Sequence, residues 1–328
     1  MALVLTKDVW LNCIFGLLSV KDLIRLSITC SRLQALAQSR LTSMPWKRLM
    51  RHELHEKCLI KAAKVNETEL MQICLKKTWF GQYVVECAYF KACKAGHLKA
   101  VQVLDDYIST VVWNTERQSN TRYKCVEKAF LKLATFSLTF PVQHKVGALI
   151  AAYKGHTHII KYLMETHRVD SSCKELILIG AASGGMTSIF KQYYFGEISS
   201  HIYPLLLQKA ILSKHPHKRI IIDMLLDHVP NYYGALQAAC ECGDKELIDL
   251  FLEKGCQSIT GAFIALARTG NLDLMIWMMQ KQLQPPNWDF VLRTAFVNGH
   301  SHVCDFALQN GATQILKGPA PTDWNFFV

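Results

Sequence analysis

The sequence repeats one short pattern of alanine, glycine and aliphatic residues. An alanine is followed four positions later by glycine, and aliphatic residues then lie four, five and eight or nine positions beyond the glycine. The pattern is clearest at Ala92–Leu104 and Ala151–Leu163 and returns around Gly185, Gly243 and Gly299. A motif reused at a near-constant step is typical of stacked helix–turn–helix repeats that contact only their neighbours. Such a stack favours binding over catalysis.

The spacing of the repeats can be read from the glycine, or from the residue that replaces it. Repeats are placed in this way at Asn66, Gly96, Gly155, Gly185, near His217, Gly243, Gly270 and Gly299. The steps are 30, 59, 30, 32, 26, 27 and 29 residues. We interpret the step of 59 as two steps, which predicts an eroded repeat between Lys124 and Leu133 and eight or nine repeats in all. Each glycine, and the asparagine, is expected to adopt the left-handed conformation that ends a helix.

These repeats resemble ankyrin repeats. The resemblance rests on Gly-His-Leu-Lys-Ala-Val at 96–101, Gly-His-Thr-His-Ile-Ile at 155–160, Gly-Asp-Lys-Glu-Leu-Ile at 243–248 and the closing turn at 308–312. The usual Thr-Pro-Leu-His box is absent, and its histidine position holds Phe90, Leu149, Ile179, Gln237, Ile264 and Arg293. The resemblance implies an ankyrin-type α-solenoid over residues 58–315, of the divergent class found in large DNA viruses and intracellular bacteria.

The first sixty residues follow a different pattern. An amphipathic helix is predicted over about Lys7–Leu17, and Ser19 with Asp22 three positions later approximates a capping box for a second helix. A third helix is predicted from about Ser31. Three short helices cannot bury all of their apolar side chains, so another surface is expected to cover some of them.

This segment resembles the F-box, by which substrate receptors attach to the Skp adaptor of cullin–RING ubiquitin ligases. It departs from the family pattern at Thr6, where proline is usual, and at Leu33, where an aromatic residue is usual. A simple helical cap over residues 1–57 remains the alternative. The resemblance implies that the adaptor contact or its supporting core is formed by Leu5, Val9, Phe15, Leu18, Leu23 and Leu26.

The net positive charge of the chain comes from its first half. Residues 1–155 contain 23 Lys and Arg against 11 Asp and Glu, whereas residues 156–328 contain 14 against 15. This asymmetry indicates an acidic partner for the first half. The basic segment Arg40–Lys64, which includes Trp46, suits either an acidic protein surface or a nucleic acid.

Several other classes of protein find no support in the sequence. No apolar run approaches the roughly 18 residues of a membrane span, and no secretory signal pattern is present. The twelve cysteines contain no Cys-x-x-Cys and are expected to be reduced, and no phosphate-binding glycine motif occurs. His156–His158 and His300–His302 are spaced like metal ligands but occupy equivalent repeat positions.

We expect no metal, no cofactor and no enzymatic activity, and a cytoplasmic or nuclear location, in a host cell if the source is a virus or an intracellular bacterium.

The C-terminal residues 316–328 leave the repeat pattern. Their aromatic residues Trp324, Phe326 and Phe327 are expected to cap the last repeat, or to serve as a peptide ligand. The sequence thus predicts an all-α chain with an F-box-like bundle at 1–57, a repeat stack at 58–315 and a tail at 316–328.

The resemblance implies a monomeric substrate receptor that links a protein target to a Skp–cullin–RING ligase. One alternative is a scaffold that sequesters a host protein without ligase recruitment. A second is a nucleic-acid-binding protein that uses the basic half.

Overall fold

The computed structural model describes residues 52–77, 80–110, 142–166, 172–194, 198–256, 259–281 and 286–313. Within these ranges the chain forms helices and turns and contains no strand. The predicted all-α class is therefore confirmed for this part of the chain.

The described ranges contain sixteen α-helices, which follow one another as eight pairs. Within a pair, two to five residues separate the first helix from the second. The pairs are α1 (His52–Val65) with α2 (Thr68–Lys77), α3 (Gln82–Ala95) with α4 (Leu98–Thr110), α5 (Val142–Lys154) with α6 (Thr157–Glu165), α7 (Ser172–Gly184) with α8 (Thr187–Tyr194), α9 (Tyr203–Leu212) with α10 (Lys218–Leu225), α11 (Tyr233–Cys242) with α12 (Lys245–Glu253), α13 (Thr260–Thr269) with α14 (Leu272–Met279), and α15 (Trp288–Val297) with α16 (Ser301–Gln309).

Alanines are buried on the first helices beside larger apolar side chains. The first helix α11 buries three alanines, of which Ala238 and Ala239 are fully inaccessible, so a neighbouring helix can approach closely. The second helices bury an aliphatic stripe, as α10 does with Ile221, Ile222 and Leu225. No helix in the described ranges is both long and apolar enough to cross a membrane.

The chain divides into two compact units, Met1–Gly180 and Ala181–Val328. In the first unit, α3 lies between α1 and α5, and α4 contacts both α2 and α6. In the second unit, the first helices α9, α11, α13 and α15 pack in that order, each against the next. Each unit therefore contains a row of helix pairs whose first helices touch.

The pairs at Gly96 and Gly155 are immediate neighbours in this row. Helix α3 packs directly on α5, and His156 Nε2 donates to the Lys94 carbonyl oxygen at 3.2 Å. The same relation joins the consecutive seventh and eighth pairs, where His300 Nε2 donates to the Arg268 carbonyl oxygen at 3.1 Å.

The step of 59 residues is therefore one step of the row, and its interpretation as two steps was wrong. Spacing alone cannot distinguish an eroded repeat from a long connection, because both lengthen the step equally. The segment between Lys124 and Leu133, where the extra repeat was predicted, lies outside the described residues.

Candidate protein-binding surface

The turn residues singled out by the repeat pattern all have positive φ. Asn66 has φ of 63°, and the glycines have φ between 66° and 83°. Left-handed backbone costs glycine little, whereas a Cβ would clash with the following carbonyl. The seven residues are Asn66, Gly96, Gly155, Gly185, Gly243, Gly270 and Gly299.

The alanine of the repeat closes the same turn through its carbonyl group. The N–H of the residue after the glycine donates to this carbonyl, as His97 does to Ala92 at 3.1 Å and His300 to Ala295 at 3.0 Å. In the seventh pair leucine replaces the alanine, and Asn271 donates to Leu266 at 3.1 Å. The side chains of Ala92 and Ala295 are fully buried. Alanine and glycine therefore form the C-terminal cap of the helix together. Glycine adopts the left-handed conformation, and alanine provides the carbonyl acceptor and allows close packing.

Histidines fasten three of the pairs, the second, the third and the eighth, to the pair before. In addition to the bonds of His156 and His300, His97 Nε2 donates to the Lys64 carbonyl oxygen at 3.1 Å. His158 and His302 donate to the carbonyl oxygens of Gly96 and Gly270, both at 2.9 Å. The carbonyls of Lys64, Lys94 and Arg268 lie in the last turn of a first helix and lack a partner within it. Those of Gly96 and Gly270 lie just past the helix end. The histidines therefore cap the preceding first helix across the junction between pairs.

This role accounts for the two His-x-His sequences that resemble metal ligands. Because a carbonyl oxygen can only accept, Nε2 of each ring carries the proton and is not available to a metal ion. Among the described residues, no group of three or more His, Cys, Asp and Glu side chains could hold a metal ion.

Burial makes two central cysteines poor nucleophiles. Burial raises the pKa of the Cys93 thiol well above its usual range, and nearby Asp105 raises it further. Burial also raises the pKa of the Cys240 thiol strongly, with smaller contributions from Cys256 and Glu241. Because the thiolate is the reactive form, both thiols behave as small apolar groups in the core.

A buried polar contact between pairs is the feature that the repeat pattern does not predict. His144 Nε2 and Asp105 Oδ1 lie 2.8 Å apart, with side chains 5 % and 0 % exposed. The His144 ring also packs edge-on against Tyr89, with ring centroids 5.7 Å apart. The one sequence signal is a carboxylate next to the buried Leu104 of α4. This signal does not identify the buried residue, because Asp105 is followed by a second aspartate, Asp106, which is exposed in the structure.

The first helices of the second unit present a shallow face. A Cβ at Gly234 would lie 3.8 Å from Gln208 Cδ, and one at Gly261 would lie 3.8 Å from Gln237 Oε1. These are ordinary contact distances, so a side chain would fit at either position. With glycine there, a shallow depression remains beside each glutamine. We call Gln208, Gly234, Gln237, Gly261, Ile264 and Arg293 the first-helix face. Its variety of side chains contrasts with the repeated turns.

An open groove of about 500 Å³ runs along the turns of the sixth, seventh and eighth pairs. An ion pair between Arg268 and Glu241 joins α13 to α11 beside it. Its lining is polar and consists largely of turn and cap residues, which suits hydrogen bonds with a polypeptide. The lining residues are Glu241, Cys242, Gly243, Thr269, Gly270, Asn271, Leu272, Asp273 and His302.

Part of the predicted site lies outside the described residues. This holds for residues 1–51, which make up most of the F-box-like segment, and for the aromatic tail, so their contacts remain predictions. Of the basic segment Arg40–Lys64, the exposed side chains of Lys57, Lys61 and Lys64 are described, on α1. The F-box-like residues in question are Leu5, Val9, Phe15, Leu18, Leu23 and Leu26.

Comparison with protein-family models and with curated proteins found no match to this chain. The interpretation of its function therefore depends on the residues described above.

Proposed function

We propose that the protein is an interaction adaptor of the F-box receptor type. In this proposal an ankyrin-type stack over residues 58–315 holds a protein target, and residues 1–57 dock on the Skp adaptor of a cullin–RING ubiquitin ligase. The ligase would then modify the target while this chain itself performs no chemistry.

The observation that supports binding most directly is that the histidine bonds between pairs lie at the turns and not on the first-helix face. The same histidine-to-carbonyl bond fastens pairs at Lys64, Lys94 and Arg268, so the stack is maintained by a few repeated groups. The first-helix face takes no part in these bonds, and its half-buried glutamines Gln208 and Gln237 reach the surface, where they can contact a partner. Buried thiols with raised pKa values are consistent with the same interpretation.

Docking on the adaptor is supported by the residue pattern of the first segment and by charge. The first half of the chain carries an excess of twelve positive charges. The resemblance implies an acidic adaptor, and opposite charges would speed their encounter.

Affinity capture with mass spectrometry tests the proposal in two parts. The intact chain is compared with a chain lacking residues 1–57 and with the double variant Phe15→Ala, Leu18→Ala. We expect both changes to remove the Skp adaptor and the cullin while the target is retained. A matched control is Lys161→Ala with Glu165→Ala, which removes an exposed ion pair of 3.7 Å and should change nothing.

Other outcomes would point to the alternatives. Capture of a target without adaptor or cullin by the intact chain would favour a sequestering scaffold. Recovery of nucleic acid, with affinity that falls steeply as salt rises, would favour the basic half as a nucleic-acid surface.

A further inference from the structure

Arg293 is a buried arginine that forms no ion pair with any of the described residues. It lies on α15, its residue is 7 % exposed, and Nη2 is buried without a hydrogen-bond partner. The guanidinium group of an arginine side chain carries a positive charge.

The position of Arg293 is apolar in most of the other helix pairs. The residue six positions before the turn glycine is Leu149 or Ile264 in two of them, 0 % and 7 % exposed. The sixth pair has the neutral Gln237, which is half-buried. A charge at this position is therefore not required by the packing of first helices.

The acidic residue of the same helix is engaged elsewhere. Asp289 lies one turn before Arg293, and its Oδ1 accepts the Thr313 N–H at 2.7 Å. Glu241, on the same row of first helices, forms its ion pair with Arg268. Within the described part of the chain, no carboxylate forms an ion pair with Arg293.

A charge in this state opposes folding. Burial removes water from the guanidinium, and only a close anion with good geometry offsets that cost. A planar guanidinium is suited to hold a carboxylate with two parallel hydrogen bonds. The Arg293 guanidinium would thus form an ion pair when a bound ligand supplies a carboxylate.

Two exposed apolar residues adjoin Arg293 on its helix. Phe296 and Val297 are each 61 % exposed. They follow Arg293 by three and four positions, so the three side chains share one side of α15. A ligand that places a carboxylate on Arg293 can therefore place an apolar side chain on this pair.

We propose that Arg293 anchors a glutamate or aspartate of the bound protein, whose neighbouring apolar side chain packs on Phe296 and Val297. This rests on the proposed function, because it assigns a recognition element to the target held by the stack. The ligand class is an acidic peptide segment that alternates with apolar residues.

Binding of a peptide to the full chain tests this assignment. The probe is an acetylated and amidated hexapeptide of alternating glutamate and leucine, and its control replaces glutamate by glutamine. We expect saturable binding of the glutamate peptide alone, weakened at least tenfold by Arg293→Met and partly retained by Arg293→Lys. The matched variant Arg219→Met removes an exposed arginine of α10 and should leave the affinity within twofold.

Thermal unfolding gives an independent readout. Arg293→Met should raise the unfolding midpoint by roughly 2–4 °C, because an apolar side chain replaces an uncompensated buried charge. A lower midpoint would overturn the proposal, since the guanidinium would then already have a partner within the chain. No binding of the glutamate peptide to the unaltered chain, or binding unaffected by Arg293→Met, would overturn it as well.

The same variant separates this inference from the proposed function. If the intact chain captures a target and Arg293→Met captures it equally, only the role of Arg293 is wrong. If the intact chain captures no target, the proposed function itself fails.

Discussion

The imidazole of His300 fills the space beside Gly270. A Cβ at Gly270 would lie 2.5 Å from His300 Nδ1, closer than side-chain atoms approach one another. Gly96 and His156 stand in the same relation, with 2.7 Å between the Cβ position and Cε1. At Gly96 and Gly270, glycine therefore provides both a left-handed turn and room for the histidine of the next pair.

Alanine at Gly270 should destabilise the protein more than alanine at Gly299. Both glycines have positive φ, at 71° and 78°, so each substitution costs about 1–2 kcal/mol of backbone strain. A Cβ at Gly299 meets nothing within 4 Å, whereas one at Gly270 meets the His300 ring, which adds about 1–3 kcal/mol. Chemical denaturation measures the difference.

A double-mutant cycle isolates the contact with histidine. Adding His300→Ala to Gly270→Ala should recover most of the extra loss, while adding it to Gly299→Ala should not. Equal losses at the two glycines would show that the ring is not a constraint.

Lowering the pH should weaken the junction between the second and third pairs. Burial lowers the pKa of His156, against a smaller raising effect of its bond to the Lys94 carbonyl, while His158, His97 and Lys154 lower it further. The unfolded chain therefore binds a proton at higher pH than the folded chain does. Stability should fall as the pH decreases below about 6.5, the ordinary histidine pKa, towards the lower folded value.

Unfolding curves at pH 7.5 and pH 5 measure this effect, with His156→Gln as the comparison. The variant should lose less stability between the two pH values than the unaltered chain. A larger loss in the variant would mean that His156 gains, rather than loses, by protonation.

Asp105→Asn should be far more damaging than Asp106→Asn. The first change weakens a fully buried 2.8 Å contact with His144, and disrupting such a pair costs about 3 kcal/mol. Asp106 is the next residue on α4 and is exposed, so its substitution should cost under about 0.5 kcal/mol. Similar unfolding midpoints for the two variants would contradict a structural role for the buried pair.

Cys242 should react with iodoacetamide before Cys240. The two thiols lie on one helix, but Cys240 is fully buried and Cys242 is exposed. Burial raises the pKa of both thiols, so Cys242 should react more slowly than free cysteine and Cys240 only on unfolding. Peptide mapping of the labelled native chain distinguishes the sites, and early labelling of Cys240 would contradict the packing described for α11.

Local sequence signals were sufficient for the helices but not for all of their neighbours. The all-α class follows from apolar periodicity and from glycines at helix ends, which act within a few residues. The contact of α3 with α5 depends on packing between distant segments, so the step between Gly96 and Gly155 was misread. The pairing of Asp105 with His144 joins residues 39 positions apart and has no local signature. Arg293 was noted only as a departure from the family box, because burial cannot be read from one residue.

Because α3 packs directly on α5, the order of helix pairs in the first unit does not depend on the number of residues that connect them. Adjacent pairs are fastened by the His156 bond to Lys94 whatever number of residues joins Thr110 to Val142, provided that the connection can span the distance. We therefore expect this junction to tolerate a change in the number of residues between the two helices. It is also where an engineer could insert a reporter domain without disturbing the row.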